Sequence, residues 1–214
     1  IPRNNWTSTF DIIDIADSRR YSWYDSENVF RYLARLNQDP VMQWQADRIS
    51  EYSQYHDWTN LLWFDPSIVS SPNASKPLMK HFSDMDLVVA RSDWNGDESM
   101  IVFKCGAPAG KNVHQQEASL GSAGNNVGHT HPDANHFVIF ANGEYIIKNN
   151  GYVKRRTTYH NTLVVSGFGQ WGQAAGYWTP MLNNRLSPSH DPTITKAEKD
   201  AGGNIVIVGS AGNT

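Results

Sequence analysis

Near residue 65 the hydrophobic period of this chain changes from that of a helix to that of a strand, and this switch limits the folds open to it. Upstream, SRRYSWYDSENVFRYLARLNQD places Val29, Phe30, Leu33 and Leu36 at helical spacing. Ser26 suits an N-cap, and Asp39-Pro40 suits a boundary between two segments. DPVMQWQADRISEYSQYHDW continues as a second helix with Pro40 in its first turn, where a missing N–H costs nothing. Residues 65–80 hold three Pro and four Ser, the composition of a linker or long surface loop. Downstream the period falls to two. MDLVVARSDW, SMIVFKCG, HFVIFANGEYIIKN, HNTLVVSG and NIVIVGS read as strands. Asn142-Gly143 between two apolar runs is a hairpin signal. Strands follow strands without βαβ alternation, so the expected class is α+β: a helical unit joined to an antiparallel β-sandwich or barrel.

With 214 residues the chain can bury a sizeable core. A net charge of −3 gives no basis for non-specific nucleic-acid binding. The sole cysteine, Cys105, excludes an internal disulfide and a cysteine-based zinc cluster. No apolar run is long enough for a membrane-spanning helix. The start IPRNNW and the end NIVIVGSAGNT both look cut, which suggests a piece of a larger or processed protein.

The chemistry gathers in GHTHPDANHFVIFANGEYII, residues 128–147, with three histidines and two carboxylates. On an extended segment His129, His131 and Asp133 face one side, with Asn135 and Phe137 following, while His136, Val138 and Phe140 face the other. Two imidazoles and a carboxylate on one face suit a zinc-class ion or acid–base chemistry. A polar loop mouth would use the same residues for backbone hydrogen bonds. Pro132 stiffens the segment. His160, at the start of HNTLVVSG, is a plausible third ligand across a hairpin. Asn149-Asn150-Gly151-Tyr152 reads as a turn or as part of a site. Lys154, Arg155 and Arg156 form a basic run, either a solvated face or a grip on an acidic substrate. GFGQWG, residues 167–172, matches a dinucleotide-loop pattern but lacks a following amphipathic helix, so nucleotide binding is rejected. A loop bearing Trp171, Tyr177 and Trp178 suits sugar contact instead.

The stretch GHTHPDANHFVIFANGEYIIKNNGYVKRRTTYHNTLVV resembles the heparinase II/III-like polysaccharide lyases. The matching elements are Gly128-His129-x-His131-x-Asp133, the hairpin at Asn142-Gly143, Gly151-Tyr152 and His160-Asn161-Thr162-Leu163. The resemblance covers roughly residues 20–170 and implies the end of an α/α toroid over 1–65, a linker over 66–80 and a β-sandwich, cut short, over 81–214. It implies β-elimination on a uronate-containing acidic polysaccharide by a secreted or periplasmic bacterial enzyme, with a homodimer allowed. His129 matches a catalytic histidine, and His131 and His160 match metal ligands. Asn149 stands where metal-binding relatives carry an acidic residue; its neutral amide widens the expected divalent ion from zinc to calcium, in a structural role. Tyr152 and Tyr159 lie close enough in sequence to line the site, with Asn135, Arg155, Arg156 and Trp171 on the substrate. The family's catalytic tyrosine is expected upstream of this chain's start.

Two other classes use the same residues. His129-x-His131, then His136 and Gly143, echo the first cupin metal motif, but no second motif accompanies His160 and the helical first third fits poorly. A non-catalytic carbohydrate-binding β module needs exposed aromatics and has no use for His129.

Overall fold

The computed structural model describes residues 27–52, 58–72, 76–94, 98–107, 110–120, 131–148, 156–170 and 191–211. Among the described residues three helices come first: α1 (Glu27–Asn37), α2 (Pro40–Tyr52) and α3 (Thr59–Trp63). Gln38 takes a left-handed φ of 50°, and Asp39 N–H returns to Ala34 O at 2.9 Å, closing α1. The Asp39 carboxylate then caps α2, accepting from Val41 N–H at 2.8 Å, with Pro40 as the first helical residue.

The face that α1 buries differs from the apolar stripe in its sequence. Glu27, Arg31 and Ala34 are buried, while Val29 and Leu36 are 50% and 63% exposed. The Arg31 guanidinium joins Glu27 at 3.0 Å and Asp47 of α2 at 2.5 Å. Asn60 of α3 donates to Glu27 at 2.9 Å. A charge network, rather than the apolar stripe, ties these helices together.

A five-stranded antiparallel sheet comes next, in the order β1 (Met79–Phe82), β2 (Leu87–Arg91), β3 (Met100–Lys104), β4 (His136–Ala141), β5 (Glu144–Ile147). Helix α4 (Lys111–Leu120) separates β3 from β4. β6 (Thr193–Lys199) and β7 (Ile205–Ser210) form a second, two-stranded sheet. The mixed α+β class and the antiparallel sheets are as expected. β1 begins at Met79, inside the expected linker, and the sequence pattern gives no sign of β6 or α4. The β4–β5 turn is the expected one, with Asn142 and Gly143 at φ 54° and 76°, the type I′ signature.

Register assigns each sheet face, because directly paired residues share a side. Val88 pairs with Phe103 and Ala90 with Met79 and Ile101. On this face Met79, Val88 and Phe103 pack with Ile194, Ala197 and Ile207 of the second sheet to form the sandwich core. On the opposite face Met100, Val102 and Lys104 pair with Phe140, Val138 and His136. All six are buried. Two apolar pairs therefore lead to one polar pair at the end of the strands.

HNTLVVSG departs from its expected strand. Thr157–Tyr159 is a 3-10 turn, and up to Gln170 the only strand-like pairing after it is a bridge between Val165 and Phe168, closed by Ser166 and Gly167 at φ 51° and 80°. Asn161 and Thr162 spend their side chains on other segments' carbonyls, which holds this stretch across the end of β4 rather than beside a strand.

Candidate functional site

At the polar end of the second face, Lys104 on β3 stands directly opposite His136 on β4. Its side chain is 1% exposed, so its ammonium does not snorkel to water. It forms an ion pair with Asp133, itself buried, three residues before β4. Burial would raise the Asp133 pKa; the Lys104 ammonium overrides this and holds it below the usual carboxylate range.

Two buried imidazoles, His136 and His160, act on this pair's charges, and a third, His131, lies beside His160. The ring of His160 lies 4.9 Å from that of His131 and 5.4 Å from that of His136, centroid to centroid. Burial pushes the pKa values of His136 and His160 down to about 4, against a weaker upward pull from Asp133. Both rings are neutral at pH 7.

The tautomer of His136 follows from one bond. Asn161 N–H donates to His136 Nδ1 at 3.0 Å, so Nδ1 keeps its lone pair and the proton sits on Nε2. That Nε2–H is buried and has no hydrogen-bond partner among the described residues. Ligating a cation through Nε2 would mean displacing that proton and giving up the Asn161 bond, so in this arrangement Nε2 presents an N–H rather than a lone pair.

The sequence places His136 on the opposite face from His131 and Asp133 by simple alternation. The backbone resets that count. Ala134 and Asn135 form a turn, with Asn135 at φ 59°. The reset brings His136 beside His160 and sends Asn135 towards the other sheet. A Cβ on Gly209 of β7 would stand 2.2 Å from Asn135 Oδ1. Asn135, expected on the substrate, thus presses against the sandwich side.

The segment between Asp133 and β4 is clamped. Gln170 accepts from Ala134 N–H at 2.9 Å and donates to Ala134 O at 2.8 Å, a side-chain imitation of a strand pair. Thr162 also donates to Ala134 O, at 2.5 Å. Asn161 donates to Phe137 O at 2.9 Å and to Lys148 O at 3.0 Å, joining the ends of β4 and β5. His160-Asn161-Thr162 and Gln170, in the Gly-rich loop, therefore serve to fix the histidine segment.

Of the expected site residues, His131 and His160 are brought together. Tyr159 ends the 3-10 turn before His160, Arg156 precedes that turn, and both are exposed. His129, Asn149, Tyr152, Arg155 and Trp171 lie outside the described residues. Lys104 and Gln170 join the site without having been expected there, and His136, expected on the opposite face except in the cupin-like reading, joins it too. For Lys104 a signal exists: in MIVFKCG it falls in step with Met100 and Val102, four and two residues after them.

The donor set decides what an ion could use. His131 and His160 are of the right type for zinc. Asp133 is engaged by Lys104 and His136 carries its proton inward. Among the described residues no group of three or more histidine, cysteine or carboxylate side chains could hold a metal ion. The two imidazoles are of the right type for such a site, and the third expected ligand, Asn149, is outside the described residues.

No described helix is long and apolar enough to cross a membrane. The family model described as "Heparinase II/III-like, C-terminal" matches residues 74–212, which span the five-stranded sheet, the histidine layer and the second sheet. This chain belongs to the heparinase II/III-like family, a family of polysaccharide lyases, and carries its C-terminal domain.

Proposed function

We propose that the protein cleaves a uronate-containing acidic polysaccharide by β-elimination, leaving an unsaturated uronate at the new end. The observation that best supports this is the buried layer of His131, His136 and His160 around the Lys104–Asp133 pair, in the family's own domain. A uronate C5 proton is weakly acidic, so its carboxylate must be neutralised by donors before a base removes the proton and an acid protonates the departing O4. His129 neutralises the carboxylate or moves the proton. Tyr152 and Tyr159 line the site as proton-transfer groups. Arg155 and Arg156 bind carboxylate or sulfate bidentately, and Trp171 gives a sugar ring a platform.

Residues 1–65 then complete a toroid, the linker runs from 66 up to the start of β1 at Met79, and the enzyme works outside the cytoplasm, in the periplasm or secreted. A zinc or calcium ion, if bound, is held by His131, His160 and Asn149, and it supplies rigidity by tying the β4–β5 hairpin to the turn at His160. The substrate class spans alginate-, heparan-, chondroitin- and ulvan-type chains.

His129→Ala in the full-length protein is expected to leave polysaccharide binding nearly intact and to lower kcat by about 10²–10⁴-fold. Equilibrium binding and unsaturated-uronate absorbance, measured on the same samples, check this. Turnover by the variant equal to that of the wild type removes His129 from the chemistry, and binding without turnover by either protein favours the carbohydrate-binding module instead.

A further inference from the structure

The geometry points to Lys104 as a positioning residue: through its buried ion pair with Asp133 it fixes where His131 stands against His160. This rests on the lyase reading above and goes beyond it, because Lys104 lies on a different strand from every residue in the motif.

Three observations carry it. First, Lys104 occupies a core position. Met100 and Val102 fill the same face of β3 with apolar side chains, and a third would continue the pattern. The buried ion pair is not needed for the stability of such a core, since apolar replacement of both partners is often neutral or stabilising. Second, the segment is held at three successive points. Lys104 grips the Asp133 side chain, Gln170 and Thr162 grip the Ala134 backbone, and Asn161 N–H grips His136 Nδ1. Third, Pro132 joins His131 to Asp133 with a fixed φ. Once Asp133 is anchored, His131 keeps little freedom, and its ring meets that of His160 at 4.9 Å.

Among these anchors the Lys104 contact sits immediately next to the His131-Pro132 pair. Gln170, Thr162 and Asn161 hold the residues after Asp133. Removing the lysine alone leaves a buried carboxylate without its cation and confounds folding with placement. Removing both charges separates them.

The test is Lys104→Met/Asp133→Asn in the full-length protein, compared with wild type. Denaturant unfolding shows whether the neutral pair folds. Steady-state kinetics on a polysaccharide that the wild type cleaves is expected to show kcat lowered by about 10–100-fold with KM little changed. Histidine-labelled protein gives a second readout by NMR: the nuclear Overhauser contact between the His131 and His160 rings is expected to vanish in the double variant. A folded double variant with wild-type kcat and the ring contact retained overturns the proposal. If the wild type cleaves no polysaccharide, the lyase reading fails while the ring contact still decides the role of Lys104: lost, it stands; retained, it falls. Should the double variant not fold, the apolar pair Lys104→Met/Asp133→Leu is read by the same ring contact in protein shown to be folded, where its loss supports the role and its retention overturns it.

Discussion

Lys104→Met alone is expected to cost the domain about 3–5 kcal/mol, among the largest effects of any single substitution here. The substitution keeps an unbranched side chain of similar length and removes only the charge. What remains is the Asp133 carboxylate, 3% exposed, in a layer whose other members are imidazoles. An ionised carboxylate in such a place has lost the partner that made burial tolerable. It either stays charged at high cost or takes up a proton, and both outcomes weaken the fold at neutral pH. The added Asp133→Asn change removes the charge and is expected to recover most of the loss. Urea unfolding of the three proteins checks this. A loss below about 1 kcal/mol for Lys104→Met means that the pair is solvated and only loosely held.

Stability is also expected to fall as the pH drops from about 6.5 to about 4. His136 and His160 have folded pKa values near 4, below the 6.5 of a free imidazole. In that window the unfolded chain binds protons that the folded chain refuses, so unfolding becomes more favourable as pH falls. The contribution is fully present above pH 6.5 and gone below pH 4. Each ring contributes on the order of 2–3 kcal/mol, and the two do not add fully because both face Asp133 and each other. Asp133 responds in the same direction but at lower pH, since its folded pKa lies below the usual carboxylate value. Replacing His160 with Gln should flatten part of the slope. Denaturation midpoints at intervals between pH 7 and pH 4.5 give the curve, and a flat line across that range contradicts the burial of these rings.

The period switch is legible in the sequence because both patterns are local. Strands β2, β3, β4, β5 and β7 each carry their alternation in their own residues, and Asn142-Gly143 supplies its own turn. Elements that depend on distant partners are not legible in this way. Helix α4 has a weak apolar face; it is fixed by Asp84, which accepts from Asn112 N–H at 2.9 Å, and by a 2.5 Å contact between His114 and Asp191. β6, TITKAEK, buries one side chain, Ile194, outright, and its start is tied by Thr193 to the buried Asp86 at 2.7 Å.

The site is half legible for the same reason. The His-x-His pattern and His160-Asn161-Thr162 stand out as residue types, and His131 and His160 do meet. Alternation misplaces His136, because a left-handed Asn135 shifts the count by one. A lysine near the end of a strand reads as a snorkelling surface residue until register sets it opposite His136 and beside Asp133. The Gln170 clamp spans 36 residues to Ala134 and has no local signature at all.

An enzyme that eliminates across a uronate leaves a double bond that absorbs in the ultraviolet. The direct measurement follows that absorbance as the full-length protein acts on alginate, heparan sulfate, chondroitin sulfate and ulvan. If the histidine layer belongs to such an enzyme, the absorbance rises steadily with at least one polymer. No rise with any of them, from folded protein supplied with zinc or calcium, contradicts the lyase assignment.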